Sequence, residues 1–337
     1  MQSGQSGVKK FEIIDFLKGF SILTIVLYHF LQPLVPSGLG FRAIAFGGTG
    51  IHLFFMLSGF GLAYSQLRKP LAFPIFIKRK FAKIYIPYIL VVSITALISL
   101  VLPLFPADGY AFWGHVLLFK LFDPNIMSTY GYQFWFISTL FQFYLLFPLL
   151  FKLFQRMPTK SWLGLVCLLS GGWIVFTLSL GEAENRVFNG AFFTYLWEFG
   201  LGMSLAKQAH STRKLPNPSN GLLLITASIG LMLYAAIGFS GHPNWRATND
   251  LFALTGYTAL AWLLYRLGGS QIRRLFLRIN SWGYPLFLLH MLLLEAAKHF
   301  AGNQFNTLVA SVTLLLAIFC AAQFERLLRW YYGKAGI

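Results

Sequence analysis

Acidic residues and cysteines are scarce in this chain, and their scarcity argues against several classes of protein. Only 10 of the 337 residues are acidic against 27 basic ones, which leaves a formal net charge of +17. Such an excess is typical of nucleic-acid binding, but the chain contains no heptad repeat, RNA-binding aromatic motif or cysteine–histidine finger. The two cysteines, Cys167 and Cys320, lie in apolar runs, which favours small core residues over a disulfide or a metal site. We therefore expect neither nucleic-acid binding nor a bound metal.

Charged residues of both signs together make up 11% of the chain, whereas hydrophobic residues make up 57%, and the mean hydropathy is +0.64. A soluble domain averages about 25% charged residues. The composition predicts an all-α polytopic membrane protein, with about ten transmembrane helices in one bundle and a single integral-membrane domain over residues 1–337. No small-residue cleavage site follows the first apolar run, so we expect a retained helix. The chain stops soon after the tenth predicted span, so we expect no appended soluble domain. The predicted spans are 11–33, 49–67, 84–105, 134–154, 161–180, 191–207, 220–239, 250–267, 282–299 and 306–326.

Lysines and arginines are distributed unequally between the two sides of this predicted bundle. One side holds Lys9, Lys10, Arg68, Lys69, Lys78, Arg79, Lys80, Lys83, Arg156, Lys160, Lys207, Arg213, Lys214, Arg273, Arg274, Arg278, Arg326, Arg329 and Lys334. The other side holds Arg42, Lys120, Arg186, Arg246 and Lys298. The positive-inside rule then predicts that both termini are cytoplasmic. Topology and contact with anionic lipid account for most of the +17 charge.

The first span, "EIIDFLKGFSILTIVLYHF", carries three polar groups in an otherwise apolar helix. Asp15, Lys18 and His29 form one stripe, because each helical residue advances by about 100° and eleven steps return to nearly the same face. The opposite face is almost wholly apolar. A stripe of ionisable groups indicates that this face points into the protein rather than into lipid.

A cluster of cations precedes the third span, in "FIKRKFAKIYIPY". Arg79 and Lys83 are four residues apart and Lys80 and Lys83 three apart, so these side chains are neighbours on a helix. The cluster is compatible with a positive-inside anchor or with a site for a phosphate-bearing ligand. Pro87 follows closely and predicts a kink where the helix leaves the interface.

Further polar side chains lie inside other predicted spans. A serine–glycine pair at 58–59 predicts close helix packing. Trp135, Ser138 and Gln142 share one face of the fourth span, which suits either hydrogen bonds between helices or the lining of a substrate site. An ionisable residue within a span is a functional candidate, although any single one is also compatible with a structural hydrogen bond. These candidates are Ser58, Trp135, Ser138, Gln142, Glu198 and His290.

Together these stretches resemble the membrane-bound acyltransferase-3 family, the bacterial O-acyltransferases that modify surface glycans. The resemblance covers the whole chain. The matching residues are Asp15, Lys18, Gly19 and His29; Phe54 to Phe60; Lys80, Lys83, Ile84, Pro87 and Tyr88; Trp135–Phe136, Tyr144–Leu145 and Pro148–Leu149; Glu198 to Met203; and Gly283–Tyr284 with His290. In three places, Lys18, Lys80 and Lys83, lysine replaces an arginine of the family, and His52 replaces a frequent aspartate. Lysine binds phosphate as a point charge without the bidentate fork of arginine.

The resemblance implies transfer of an acyl group, most simply acetyl, from cytoplasmic acyl-CoA to a hydroxyl of an extracytoplasmic or lipid-linked glycan. It implies a multi-pass protein of the bacterial inner membrane, with acyl-CoA as co-substrate and no tightly bound cofactor. The implied site comprises catalytic His29, Asp15 and Lys18; acyl-CoA-binding Arg79, Lys80, Lys83 and Ser58; and lining residues Trp135, Ser138, Gln142, Tyr144, Glu198 and His290.

The spacing within the first helix suits this chemistry. Eleven residues place His29 about 16 Å from Lys18 along the helix, so a donor held by the cations needs a long thin arm, such as that of coenzyme A, to reach the imidazole. A neutral histidine is suited to removing the proton from a hydroxyl. Ile22, Ile25 and Val26 lie between the two and are expected to line a narrow apolar passage.

Two other interpretations remain open at this point. Buried charges also line the paths of transporters, so the chain is compatible with a multi-span transporter of an anionic small molecule. The lysine replacements are compatible with a family member whose catalytic site has decayed. Transfer from labelled acyl-CoA separates both alternatives from an active enzyme.

Overall fold

A computed structural model describes residues 11–35, 37–106, 108–240 and 244–335, and this part of the chain contains helices and turns but no β-strand. The α-helices are α1 (Glu12–Leu31), α2 (Gly38–Ala45), α3 (Gly50–Arg68), α4 (Phe73–Lys80), α5 (Ile86–Val101), α6 (Gly109–Val116), α7 (Trp135–Arg156), α8 (Thr159–Ser179), α9 (Arg186–Asn189), α10 (Phe192–Thr212), α11 (Asn220–Phe239), α12 (Trp245–Leu267), α13 (Gly269–Ser281), α14 (Gly283–Ala301) and α15 (Thr307–Ala335). A π-helical segment, Phe81–Tyr85, joins α4 to α5. The all-α prediction is confirmed.

Each predicted span coincides with a long helix, but the helices differ in how well they suit a membrane. Seven helical segments of the described chain are long and apolar enough to cross: Glu12–Leu34, Gly38–Arg68, Phe73–Val101, Tyr132–Arg156, Thr159–Ser179, Asn220–Phe239 and Thr307–Lys334. The other three, α10, α12 and α14, carry charged residues such as Glu198, Asp250 and Glu295, which lower their hydropathy. The count of ten crossings therefore stays a prediction.

Helices α3 and α10 approach each other backbone to backbone. A Cβ atom on Gly59 would lie 2.1 Å from the carbonyl oxygen of Phe199, and one on Gly202 would lie 1.9 Å from that of Met56. Both distances are far below van der Waals contact, so only glycine fits at either position. The predicted close packing at Gly59 is confirmed, and this contact fixes Ser58 and Glu198 on neighbouring positions of the two helices.

The first helix is held in the same way. A Cβ atom on Gly19 would lie 2.0 Å from the carbonyl oxygen of Phe276, so α1 lies directly against α13. The rings of Phe16 and Phe20 pack against Phe276 on either side of this approach, with centroids 4.8 and 5.6 Å away. Aromatic pairs at such distances are favourable. The position of α1 fixes where Lys18 and His29 lie in the bundle.

A π-helical segment lies where Pro87 predicts a kink. It spans Phe81–Tyr85, immediately before the proline at the start of α5. Proline donates no backbone hydrogen bond, and a π-turn is one way in which a helix accommodates the resulting gap. The hydroxyl of Tyr85 donates to the carbonyl of Val116 and ties the segment to α6. The irregular turn thus lies directly at the cation cluster.

One cation on the predicted outer side is not a surface charge. Lys120 is fully buried, and its Nζ donates to the carbonyls of Thr129 and Gly131 at 3.0 and 2.9 Å. Burial lowers the pKa of Lys120 well below its usual range. This lysine therefore organises the loop before α7. Lys9, Lys10 and the side chain of Arg246 lie outside the described residues.

The charge asymmetry leads to a direct test of orientation. A reporter fused after Ile337 should be active only in its cytoplasmic form, because the lysines and arginines of the C-terminal helix favour the cytoplasmic side. A matched fusion in the loop between α5 and α6 should be active only in its exported form. An exported-form signal at the C-terminus would reverse the whole orientation.

Candidate active site

Two cavities lie one after the other along α1 and α3. The first, which we call the cationic cavity, has a volume of about 510 Å³ and its wall includes Lys18, Arg79, Lys80 and Lys83. The second, the histidine cavity, has a volume of about 190 Å³ and its wall includes His29. The eleven residues from Lys18 to His29 therefore extend from one cavity to the other, as the polar stripe of the first span predicts.

Four apolar residues mark the boundary between the two cavities. The residues that line both of them are Ile25, Ile51, Phe136 and Phe287, from helices α1, α3, α7 and α14. We call these four residues the septum. The prediction for the apolar passage holds for Ile22 and Ile25, which line the cationic cavity. It is wrong for Val26, which is fully buried with Phe30 and Leu286 in a separate apolar cluster. The helical period alone does not distinguish the face of α1 that carries Ile22 and Ile25 from the neighbouring face that carries Val26.

The cationic cavity is suited to an anion. Four basic side chains line it, and the described part of its wall contains no aspartate or glutamate. The Nζ of Lys80 lies 5.1 Å from the ring centroid of Tyr144 and 5.6 Å from that of Phe76. Cation–π contacts of this kind hold an ammonium group in place. Ser58 and Tyr144 also line this cavity, as predicted.

Asp15 lies outside the wall of either cavity, although it shares the stripe of Lys18. Its Oδ1 accepts a hydrogen bond of 3.2 Å from Nδ2 of Asn280, which itself lines the cationic cavity. Asp15 thus contacts the wall of the cationic cavity through Asn280, and its catalytic role stays a prediction. Asp15 lies on the same face of α1 as Lys18, as its spacing predicts, but about one helical turn before the cavity.

His29 faces the histidine cavity beside a second histidine. The ring centroids of His29 and His290 are 5.2 Å apart, although the two residues are distant in sequence. Nδ1 of His290 donates to the carbonyls of Phe287 and Leu286, at 2.8 and 3.2 Å. Since carbonyls only accept, this nitrogen carries the proton. Nε2 of His290 is then an acceptor, and it is buried without a partner among the described residues. His290 therefore adds a buried second imidazole beside His29.

The three polar residues predicted to share a face of α7 do not form one site. Trp135 lines the histidine cavity, and the guanidinium of Arg186 lies 4.3 Å from its ring centroid. Oε1 of Gln142 instead accepts a hydrogen bond of 3.1 Å from the backbone nitrogen of Phe192, at the start of α10. Ser138 is buried, and within the described chain its hydroxyl has no hydrogen-bond partner. Gln142 thus links α7 to α10, which is the hydrogen bond between helices that the sequence indicates as one alternative.

Glu198 belongs to a cluster that the sequence did not indicate. Its Oε1 accepts a hydrogen bond of 2.6 Å from Nδ1 of His52, and Nε2 of His52 lies 3.4 Å from Oδ1 of Asp250. His52 and Asp250 both line the histidine cavity. The one sign of this cluster in the sequence was His52, which replaces the usual aspartate of the family. Its partners Glu198 and Asp250 come from helices far apart in the chain, and Asp250 was not among the predicted site residues.

Comparisons with known proteins identify similarity to acyltransferases. A family model described as an acyltransferase domain, acyltransferase-3, matches residues 11–324. An acyltransferase named MdmB, from Streptomyces mycarofaciens, is 24% identical over 323 residues, which cover 86% of this chain and 80% of that protein. No solved structure matches the chain. The matched segment contains all residues of both cavity walls.

Proposed function

We propose a donor, an acceptor and a catalytic base for this chain, which belongs to the acyltransferase-3 family. The donor is cytoplasmic acyl-CoA, most simply acetyl-CoA, and the acceptor is a hydroxyl of an extracytoplasmic or lipid-linked glycan. The protein spans the cytoplasmic membrane of a bacterium ten times, with both termini inside. The observation that carries the proposal is a single apolar septum between a cation-lined cavity and the cavity that contains His29.

The cationic cavity supports the choice of donor. Coenzyme A combines several phosphates with a long thin arm. Lys18, Arg79, Lys80 and Lys83 provide charges for the phosphates. Apolar side chains such as Ile22 continue the cavity towards the septum and suit the arm. The thioester would then reach the boundary between the two cavities, about 16 Å from Lys18 along α1.

His29 is the proposed general base. Within the described residues neither of its ring nitrogens has a hydrogen-bond partner, so both are available to a ligand in the cavity. The acceptor oxygen forms a bond to the thioester carbonyl carbon as His29 takes its proton. The carbon–sulfur bond then breaks, and the coenzyme leaves as a thiol after receiving that proton. Nε2 of the neighbouring His290 is the proposed acceptor of a hydrogen bond from the protonated His29.

The histidine cavity supports a sugar as acceptor. Trp135, Tyr132, Tyr195 and Tyr234 provide flat apolar surfaces in its wall, while Arg186 provides hydrogen-bond donors. The cavity of about 190 Å³ leaves little space beside a sugar ring, which favours a small acyl group such as acetyl. An anion transporter has no need of a free imidazole at the far side of the septum. Production of an acylated glycan from labelled acetyl-CoA by the purified protein tests the proposal as a whole.

The donor site leads to a specific prediction. Replacing Lys80 and Lys83 together with glutamine should weaken acyl-CoA binding by about 10–100-fold, because each lost charge-assisted hydrogen bond contributes about 1.5 kcal/mol or less at a partly exposed site. Calorimetric titration of the purified protein with acyl-CoA measures the change.

Lys78 provides the matched control. It belongs to the same basic segment but does not line the cationic cavity, so Lys78→Gln should bind acyl-CoA as the wild type does. Lys80→Arg with Lys83→Arg should preserve or improve binding. Equal affinity in the double glutamine variant would leave only a topological role for these cations.

A further inference from the structure

We propose that His52 and Asp250 are ligands of a divalent cation of the zinc type in the wall of the histidine cavity, with Glu198 holding His52 in position. The three residues belong to α3, α12 and α10, and their ligand atoms all lie within 4.8 Å of one another. This proposal does not rest on the proposed function, because acyl transfer from a thioester requires no metal.

The orientation of the His52 ring is the first argument. Nδ1 lies 2.6 Å from Oε1 of Glu198; when Glu198 is ionised and the imidazole neutral, Nδ1 carries the proton, because a carboxylate only accepts hydrogen bonds. Nε2 then presents a lone pair to the carboxylate oxygen of Asp250, 3.4 Å away. Two such acceptors repel each other unless a proton or a metal cation lies between them, and we propose the metal cation.

The distance between these two acceptors is the second argument. Zinc is bound by histidine nitrogen and carboxylate oxygen at about 2.1 Å in tetrahedral geometry, which holds two ligand atoms about 3.4 Å apart. The separation of Nε2 of His52 and Oδ1 of Asp250 equals this value. A direct hydrogen bond between them would favour a shorter distance of about 2.9 Å.

Glu198 provides the third argument. Histidines that bind metals commonly donate their other ring N–H to a carboxylate, which fixes the tautomer and the orientation of the ring. Glu198 is in this position and is fully buried, and among the described residues its Oε2 has no hydrogen-bond partner. A buried carboxylate is paired with a positive charge or takes up a proton. In the described wall of this cavity, Arg186 is the only lysine or arginine and Asp250 the only acidic residue.

The remaining coordination positions face the cavity, because His52 and Asp250 both line it. Water or a hydroxyl of a bound molecule can fill them, as in zinc sites that keep an open position. The sequence predicted no metal because none of the usual ligand spacings occurs. Residues 52, 198 and 250 come together only through the packing of three helices.

The test uses the purified full-length protein in detergent, with any affinity tag removed and metals stripped by a chelator. Zn²⁺ titration should show one saturable site by calorimetry and a rise in the unfolding temperature, since a ligand of the folded state stabilises it. His52→Gln and Asp250→Asn should each weaken Zn²⁺ binding by at least 100-fold. Glu198→Gln should weaken it by about 10–100-fold.

A matched control separates this site from weak surface binding. His299 is an exposed histidine at the end of α14, so His299→Gln should bind Zn²⁺ as the wild type does. The unfolding temperature of each variant in chelator shows whether it is folded. Absence of a saturable site, or equal binding in folded His52→Gln and Asp250→Asn, would overturn the proposal. The cluster would then be an imidazolium held between two carboxylates.

Discussion

Replacing His29 with alanine should lower the rate of acyl transfer by about 10²–10⁴-fold while acyl-CoA binding stays unchanged, because a general base contributes about that much. His29 lines the histidine cavity, whereas the cations that we assign to the donor line the other cavity. The septum separates the two groups, so loss of the imidazole leaves the phosphate-binding side chains in place. Transfer from labelled acyl-CoA and calorimetric titration, both on the purified protein, measure the two effects separately.

His29→Gln distinguishes catalysis from packing. Glutamine keeps a hydrogen-bonding side chain of similar length but takes up no proton at neutral pH. We therefore expect this variant to be as inactive as His29→Ala. His290→Ala should lose less activity, since His290 acts only by accepting a hydrogen bond from His29. Combined with His29→Gln it should cause little further loss, because groups that act as a unit are not additive. Near-normal turnover of His29→Gln would make His29 a structural residue.

Replacing Gly202 with alanine should destabilise the protein by about 1–3 kcal/mol or more, which is the usual range for forcing extra atoms into a packed contact. The new Cβ would lie 1.9 Å from the carbonyl oxygen of Met56 and 2.8 Å from the backbone nitrogen of Phe60. Both atoms belong to the backbone of α3, so no side-chain rotation relieves the clash and the two helices must separate. The unfolding midpoint in detergent measures the loss.

Gly172 is the matched control for this substitution. It also lies inside a long helix, α8, but a Cβ atom there meets no other atom within 4 Å. Alanine favours the helical conformation over glycine by about 1 kcal/mol, so Gly172→Ala should leave stability unchanged or raise it. If Gly202→Ala and Gly172→Ala unfold at the same midpoint, the close approach of α3 and α10 does not contribute as described.

Properties that depend on position along one helix could be predicted from the sequence. The stripe of Lys18 and His29 follows from the helical period, and their assignment to separate cavities agrees with their eleven-residue spacing. The neighbouring cations Arg79, Lys80 and Lys83 come together for the same reason. Local periodicity also indicated the serine–glycine pair of α3, although not which helix would pack against it.

Contacts between distant helices could not be predicted in this way. His290 lies 5.2 Å from His29, and Asp250 lies beside His52, only because helices from separate parts of the chain are neighbours in the bundle. The π-helical turn was missed for a related reason. Its hydrogen bonds compete with those of an ordinary α-helix, and the tie from Tyr85 to α6 is not visible in the local sequence.

The septum has a consequence for the energy balance of the cell. Ile25, Ile51, Phe136 and Phe287 are all apolar, and a narrow apolar constriction excludes water. A continuous column of water through the bundle would conduct protons and dissipate the electrochemical gradient across the membrane. The four apolar side chains shared by the two cavity walls oppose such a column at the boundary between the cavities. This arrangement would limit proton leakage through the bundle.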